Sequence, residues 1–185
     1  LQQAYSTKVC ISCLNPPDNV DTIVQQGGTS SGKTYGICLA LLELAKKDKG
    51  SLTTVTGQDL PNLKRGALRD FESILNDYPE FMQRIDTINK SEHTYRFKNG
   101  SIIEFVAYGT QQDAKNGKRD YLFVNEANGV LKEIYDELAV RTSKRIFIDY
   151  NPTRKFWAHE LQGLPNVRFY ITTYNDNPNC PDSIK

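Results

Sequence analysis

The stretch GGTSSGKT, residues 27–34, decides how this chain is read. Gly27, four residues, then Gly32, Lys33 and Thr34 satisfy the spacing G-x-x-x-x-G-K-[ST] in full. Glycines at both ends let the backbone close around a phosphate, with successive N–H groups pointing inward. A helix starting at this point adds the positive end of its dipole. Gly27, Gly28, Thr29, Ser30, Ser31 and Gly32 therefore form a candidate cradle. Lys33 is placed to reach the β and γ oxygens, and the Thr34 hydroxyl to bind Mg2+. The competing interpretation is a flexible Gly/Ser loop in front of a helix. The flanks favour the cradle. DTIVQQ (21–26) patterns as a short strand, and Ile37, Cys38, Leu41, Leu42, Leu44 and Ala45 form a broad helical stripe from Gly32 to Lys47.

Further along, SLTTVTG (51–57) is β-branched and ends at glycine, which predicts a strand. Residues 60–78 predict one helix, with Leu63, Ala67, Phe71, Ile74, Leu75 and Tyr78 on its buried face and Lys64, Arg65 and Arg69 opposite. TYRFKNGSIIEFVAY (94–108) reads as two alternating segments about Asn99-Gly100, a strong hairpin signal. YLFV (121–124) is a continuous apolar run, as expected of a central strand covered on both faces. A helical stripe over 130–139, strands at RIFIDY (145–150) and VRFYITTY (167–174), and a short helix near Phe156 and Trp157 complete the pattern. Strands alternating with helices predict an α/β domain with a mostly parallel sheet flanked by helices. Residues 1–20 are poorly patterned and are expected to be irregular.

Composition sets the remaining bounds. The 185 residues are 38% hydrophobic and 24% charged, which suits one globular domain over 1–185 with its own core. A net charge of +1 restricts any nucleic-acid contact to local patches. No apolar run approaches the roughly 20 residues needed to span a bilayer, so no membrane partner is expected. The chain begins at Leu1 rather than Met and is expected to be one domain of a longer protein. Cys10 and Cys13 form a C-x-x-C pair that no second pair or His cluster completes into a zinc site. All four cysteines are expected to be reduced structural thiols, as in a cytosolic protein.

A second functional position lies at the end of the apolar run, in YLFVNEA. A nucleotide hydrolase needs a group near the magnesium shell and a base that orients water. Asn125 and Glu126 stand at such a strand end, where open α/β sheets bind ligands. Glu126 is the candidate base. Asn125 stands where an Asp is usual; its amide oxygen is expected to accept a hydrogen bond from a magnesium-bound water but contributes no charge, so magnesium is expected to rest mainly on Thr34 and the triphosphate. The alternative is that both residues only cap the following helix.

With GGTSSGKT, the segments TGQDLPNLKRGALRDF, YLFVNEAN, FIDYNPTRKFWAHE and TTYNDNPN, in this order, resemble the ATPase domain of bacteriophage large terminases, the motors that translocate viral DNA. The resemblance runs from about residue 20 to the end. It implies a P-loop NTPase of the additional-strand, catalytic-glutamate branch, acting on ATP with Mg2+. It further implies double-stranded DNA, a portal protein and a small terminase subunit as partners. The implied assembly is a homo-oligomeric ring, often pentameric, with the isolated domain a monomer. The implied location is the host cytoplasm and, transiently, the procapsid portal. The family's C-terminal nuclease domain is expected to be absent from this chain.

Carried over, Lys33 and Thr34 match the phosphate and metal residues and Glu126 the catalytic glutamate. Asn151 matches the segment that senses the γ-phosphate, its alternative being an Asn-Pro turn closing a strand. Gln25 and Gln26 stand where the family often contacts adenine. The chain departs from its relatives at Thr29, Ser30 and Ser31, where many carry an arginine, and at Asn125. The resemblance implies an arginine finger supplied by a neighbouring subunit. Lys115, Lys118 and Arg119 are candidates, Arg119 first, the alternative being a solvated basic turn. Candidate DNA-phosphate contacts are Lys64/Arg65/Arg69, Arg141/Lys144/Arg145 and Arg154/Lys155. A helicase of the same branch, a small-molecule P-loop kinase and a binding module without turnover are the rival functions.

Overall fold

The computed structural model describes residues 7–177 and Cys180. Pro178 and Asn179, within the last quoted segment, lie outside the described residues, as do residues 1–6. The strands are β1 (Thr22–Gly27), β2 (Leu52–Thr56), β3 (Ile85–Asn89), β4 (Thr94–Phe97), β5 (Ile102–Phe105), β6 (Arg119–Val124), β7 (Thr142–Tyr150) and β8 (Val167–Thr172). They form one sheet in the order β3-β4-β5-β2-β6-β7-β1-β8. From β5 to β8 every neighbouring pair is parallel, and β4 runs antiparallel to both β3 and β5. Strand β7 lies between β1, which leads into the glycine loop, and β6, which leads into Glu126.

Helices cover both faces. On one face pack α1 (Lys8–Leu14), α2 (Lys33–Lys47), α3 (Leu60–Arg65), α4 (Ala67–Asp77) and α5 (Pro79–Met82), around Ile23, Ile37, Leu41, Phe71, Phe105 and Phe147. The other face carries α7 (Lys132–Ala139), preceded in the chain by the short α6 (Gln111–Ala114), and a core of Leu122, Val124, Ile134, Leu138, Ile148 and Trp157. Helix α2 is buried along nearly its whole length, and Ile37, Leu39, Leu41 and Leu42 are fully enclosed. At about 1.5–3 kcal/mol per enclosed aliphatic side chain, this burial holds the glycine loop against the sheet. Asn99, in the predicted hairpin turn, donates to the Ala45 carbonyl and so closes the end of α2.

Two expectations change. The predicted helix over 60–78 breaks at Gly66, whose backbone (φ −109°, ψ −106°) no helix accommodates, into α3 and α4. The break lets the chain turn while Leu63, Phe71 and Ile74 still face the core. Residues 8–14, expected to be irregular, form α1, with the Thr7 hydroxyl accepting from the Cys10 N–H as its cap. Seven residues are too few to display a helical period. Cys10 and Cys13 turn inward, and burial pushes both thiols up to about 12. Cys10, Cys13 and Cys38 are free thiols, and all four cysteines are buried. Among the described residues no helix is long and apolar enough to cross a membrane.

Candidate active site

Parallel register brings the carboxyl ends of β1, β6 and β7 to one edge of the sheet. Gln26 pairs with Tyr150 and Val124 with Ile148, so the residues that follow each strand meet there. They line a cavity of about 490 Å3, with walls formed by residues 29–35, Arg65, Arg69, Glu126, Asp149 and Asn151. The N-terminus of α2 opens into it, which favours an anion.

The glycine loop is shaped by its own bonds and its neighbours. Gly32 (φ +75°) caps α2 in the left-handed region, and Ser30 (φ +65°) shares that conformation. A side chain at Gly27 would place a carbon 2.1 Å from the Thr172 carbonyl oxygen of β8, so only glycine fits against that strand. The Asn177 amide donates to the Ser30 carbonyl at 2.8 Å, bringing the segment after β8 onto the loop. The Lys33 ammonium lies inside the loop, 2.9 Å from the Gly27 and Gly28 carbonyl oxygens and 3.0 Å from Ser31 Oγ. It also donates to Asn151 Oδ1 at 3.0 Å. Burial lowers the Lys33 pKa, and the acidic Asp149 and Glu126 oppose that shift.

Asp149 is the residue that sequence reasoning missed. It is the last residue but one of β7, is 1% exposed, and accepts from three residues. Thr34 Oγ1 donates to Oδ2 at 2.6 Å, the Glu126 N–H to Oδ1 at 2.7 Å, and Asn125 Nδ2 to Oδ1 at 3.0 Å. Burial raises the Asp149 pKa, and these bonds together with Lys33 pull it back. The available signal was RIFID, an apolar strand ending in an acid just as YLFVN ends in an amide. The Thr34 hydroxyl beside a carboxylate is a set of hard oxygen donors that fits magnesium. Among the described residues no three His, Cys, Asp or Glu side chains group to hold a metal by themselves.

Glu126 stands exposed on the cavity wall in the left-handed conformation (φ 49°, ψ 54°). That conformation is costly for a non-glycine residue and turns the chain sharply at the strand end. Asn125 is close, but it presents its amide nitrogen to Asp149 and to Thr34 Oγ1 (3.5 Å). The expectation that its oxygen accepts from the magnesium shell is therefore corrected.

Two further expectations are corrected. Gln25 does not reach the cavity. It is fully buried in β1 and donates to Ser12 Oγ at 2.8 Å, and Gln26 accepts from the Tyr150 hydroxyl. Arg119 lies at the opposite end of β6, six residues or roughly 20 Å from Asn125. It is 4% exposed, with its guanidinium bonded to Thr54 Oγ1 (3.1 Å) and the Leu138 carbonyl (3.2 Å), so it cannot extend to a neighbouring subunit. Lys115 and Lys118, exposed beside it, stand at that same far end. The arginines on the cavity wall are Arg65 and Arg69, placed there by the break at Gly66. Of the other basic residues, Arg141 pairs with Glu137, Lys144 with Asp48 and Asp120, and Arg145 donates to the Cys13 carbonyl. Arg154 and Lys155 are exposed.

A sequence profile of the phage terminase large subunit family matches residues 19–185. No curated protein matches the chain. Among solved structures, the large terminase of a thermophilic bacteriophage superposes with a TM-score of 0.75 at 15% identity, over 96% of this chain and 48% of that one. Structures of that protein include complexes with ADP and with ATP-γ-S. The bacteriophage HK97 large terminase gives 0.69 at 13% identity, over 89% of this chain and 38% of that one. The ATPase domain of the Thermus phage P74-26 large terminase gives 0.68 at 12% identity, over 88% and 79%. At these identities the likeness is one of fold. The chain spans about half the length of the first of these relatives.

Proposed function

This chain belongs to the phage terminase large subunit family, and from that premise we propose that it is the ATP-hydrolysing domain of a viral DNA-packaging motor. The domain couples hydrolysis of magnesium-bound ATP to movement of double-stranded DNA into a procapsid. The observation that carries this is the meeting of Lys33, Thr34 and Glu126 on one cavity at the carboxyl edge of the sheet. A kinase would need an acceptor pocket, whereas a carboxylate opposite a phosphate loop favours water.

The loop N–H groups and Lys33 bind the β and γ oxygens, with Lys33 exchanging its loop carbonyls for phosphate. Glu126 orients a water and accepts its proton. The water oxygen bonds to the γ-phosphorus as the bond to the β–γ bridging oxygen breaks, and that electron pair leaves with ADP. Thr34 would hold magnesium together with the nucleotide, and the bound ion would supply positive charge beside the phosphates. Arg65 and Arg69 supply further positive charge from within the same chain. Asn151, bonded to Lys33, passes the state of the phosphate to β7. In the assembled motor the domain works in a pentameric ring, with a portal protein and a small terminase subunit as partners, in the host cytoplasm and at the procapsid portal. Lys64, Arg154 and Lys155 are left for DNA phosphates, which suits a grip indifferent to sequence.

The test is ATP hydrolysis by the full-length protein with and without duplex DNA. Turnover that rises with duplex and is abolished by Lys33→Ala is expected. A DNA-independent activity indifferent to Glu126→Gln would overturn the proposal, and strand separation would point to a helicase instead.

A further inference from the structure

A fully buried carboxylate demands a reason. Taking an ion out of water costs several kcal/mol, and an asparagine of the same shape would avoid that cost. Asp149 nevertheless stands there, accepting from the Thr34 hydroxyl, the Asn125 amide and the Glu126 N–H. Its Oδ2 is 2.6 Å from the hydroxyl that the loop motif assigns to magnesium. At the end of β6, where the charge is expected, stands Asn125, whose amide nitrogen faces Asp149. Its oxygen is turned towards Gly66, where an added side chain would meet it at 3.3 Å. The two positions lie on adjacent strands, Val124 pairing with Ile148, so a carboxylate on either one reaches nearly the same space.

We propose that the acid which orders the magnesium shell has been transposed in this chain from β6 to β7. Asp149 carries the charge, and Asn125 is a positioning residue that fixes its carboxylate. Asn151 directly follows β7, two residues after Asp149. The same strand end therefore presents Asp149 to Thr34 and Asn151 to Lys33. The end of β7 and the residue that follows it hold both the metal-side and the phosphate-side partner of the loop, so a shift of this strand end moves both together.

The inference rests on the nucleotide-binding reading above, and its test separates the two. Affinity for a fluorescent ADP analogue is measured on the full chain with and without Mg2+, and Mn2+ uptake is followed by EPR. In the unaltered protein Mg2+ tightens the nucleotide by about tenfold or more. Asp149→Asn is expected to leave metal-free affinity within about threefold while losing most of that metal increment and the bound Mn2+ signal. The double variant Asn125→Asp with Asp149→Asn returns one carboxylate to the same space and is expected to regain the increment. An Asp149→Asn protein that keeps the full increment overturns the transposition and leaves the nucleotide reading standing. Absence of nucleotide binding in the unaltered protein overturns both. If Asp149→Asn does not fold, the double variant decides alone: a regained increment supports the transposition, and a lost one overturns it.

Discussion

Asn151 Oδ1 accepts a hydrogen bond from Lys33 Nζ at 3.0 Å, across 118 residues of sequence. The contact ties the glycine loop to the end of β7 directly. Asn151→Ala removes one charge-assisted bond, worth about 1.5–3 kcal/mol. Nucleotide affinity is expected to fall by about tenfold, and stimulation of hydrolysis by duplex DNA to fall further than basal turnover. Equal loss in both would make Asn151 a binding residue with no part in coupling.

Glu126 is exposed on the cavity wall, and its backbone, rather than its side chain, serves Asp149. Glu126→Gln should therefore preserve the fold and nucleotide affinity while slowing phosphate release about 10²–10⁴-fold, the range for losing a general base. Single-turnover kinetics beside equilibrium binding separate the two effects.

Arg65 and Arg69 reach the cavity from α3 and α4, and the glycine loop itself contains no arginine. Replacing both with alanine is expected to lower turnover by about a hundredfold, the cost typical of removing a donor aimed at developing charge. The thermal midpoint should hardly move, because both side chains are exposed. Turnover unchanged in the pair, but lost on mixing with subunits defective elsewhere, would assign the charge to a neighbouring subunit.

Arg119 has the opposite signature. Its guanidinium joins β2, β6 and the end of α7 through buried bonds. Arg119→Ala should lower unfolding free energy by about 2–3 kcal/mol. The variant that still folds should hydrolyse ATP normally, and denaturant titration paired with turnover checks this.

Asp48, after α2, accepts from Lys144 and from the Tyr121 hydroxyl, at the sheet edge remote from the site. The Lys144 bond is the main cause holding its carboxyl below the usual range. A depressed folded pKa stabilises the protein above the unfolded value, and that contribution disappears as pH falls through the folded one. Asp48→Asn should thus cost about 1 kcal/mol or less near pH 7, the scale of a partly exposed pair. The difference from the unaltered protein should close as pH falls through the folded value, below the usual carboxylate range. A gap that persists in strong acid would mean the side chain acts through packing.

Much of this was open to sequence reasoning, for a definite reason. A phosphate is wrapped by consecutive backbone N–H groups, so its cradle must be contiguous, and residues 27–34 announce it. Glu126 ends an apolar run, and the Asn99-Gly100 turn is a local signal. Other features depend on distant partners. Arg119, in the polar run KNGKRDY, looks solvent-exposed until Thr54 and the Leu138 carbonyl are beside it. Gln25, next to the loop in sequence, alternates into the core because neighbouring strand residues face opposite sides.

The sequence by itself determined the anion-binding loop, the alternation that makes a parallel α/β sheet, and the glutamate facing the cavity. Only the tertiary structure decided which acid meets Thr34, where the arginines point, and that Asn151 holds Lys33. Those answers come from parallel register, which sets the ends of β1, β6 and β7 side by side although Thr34 and Asp149 stand 115 positions apart. No local pattern encodes that juxtaposition, because the bonds that fix it form only once the strands have paired.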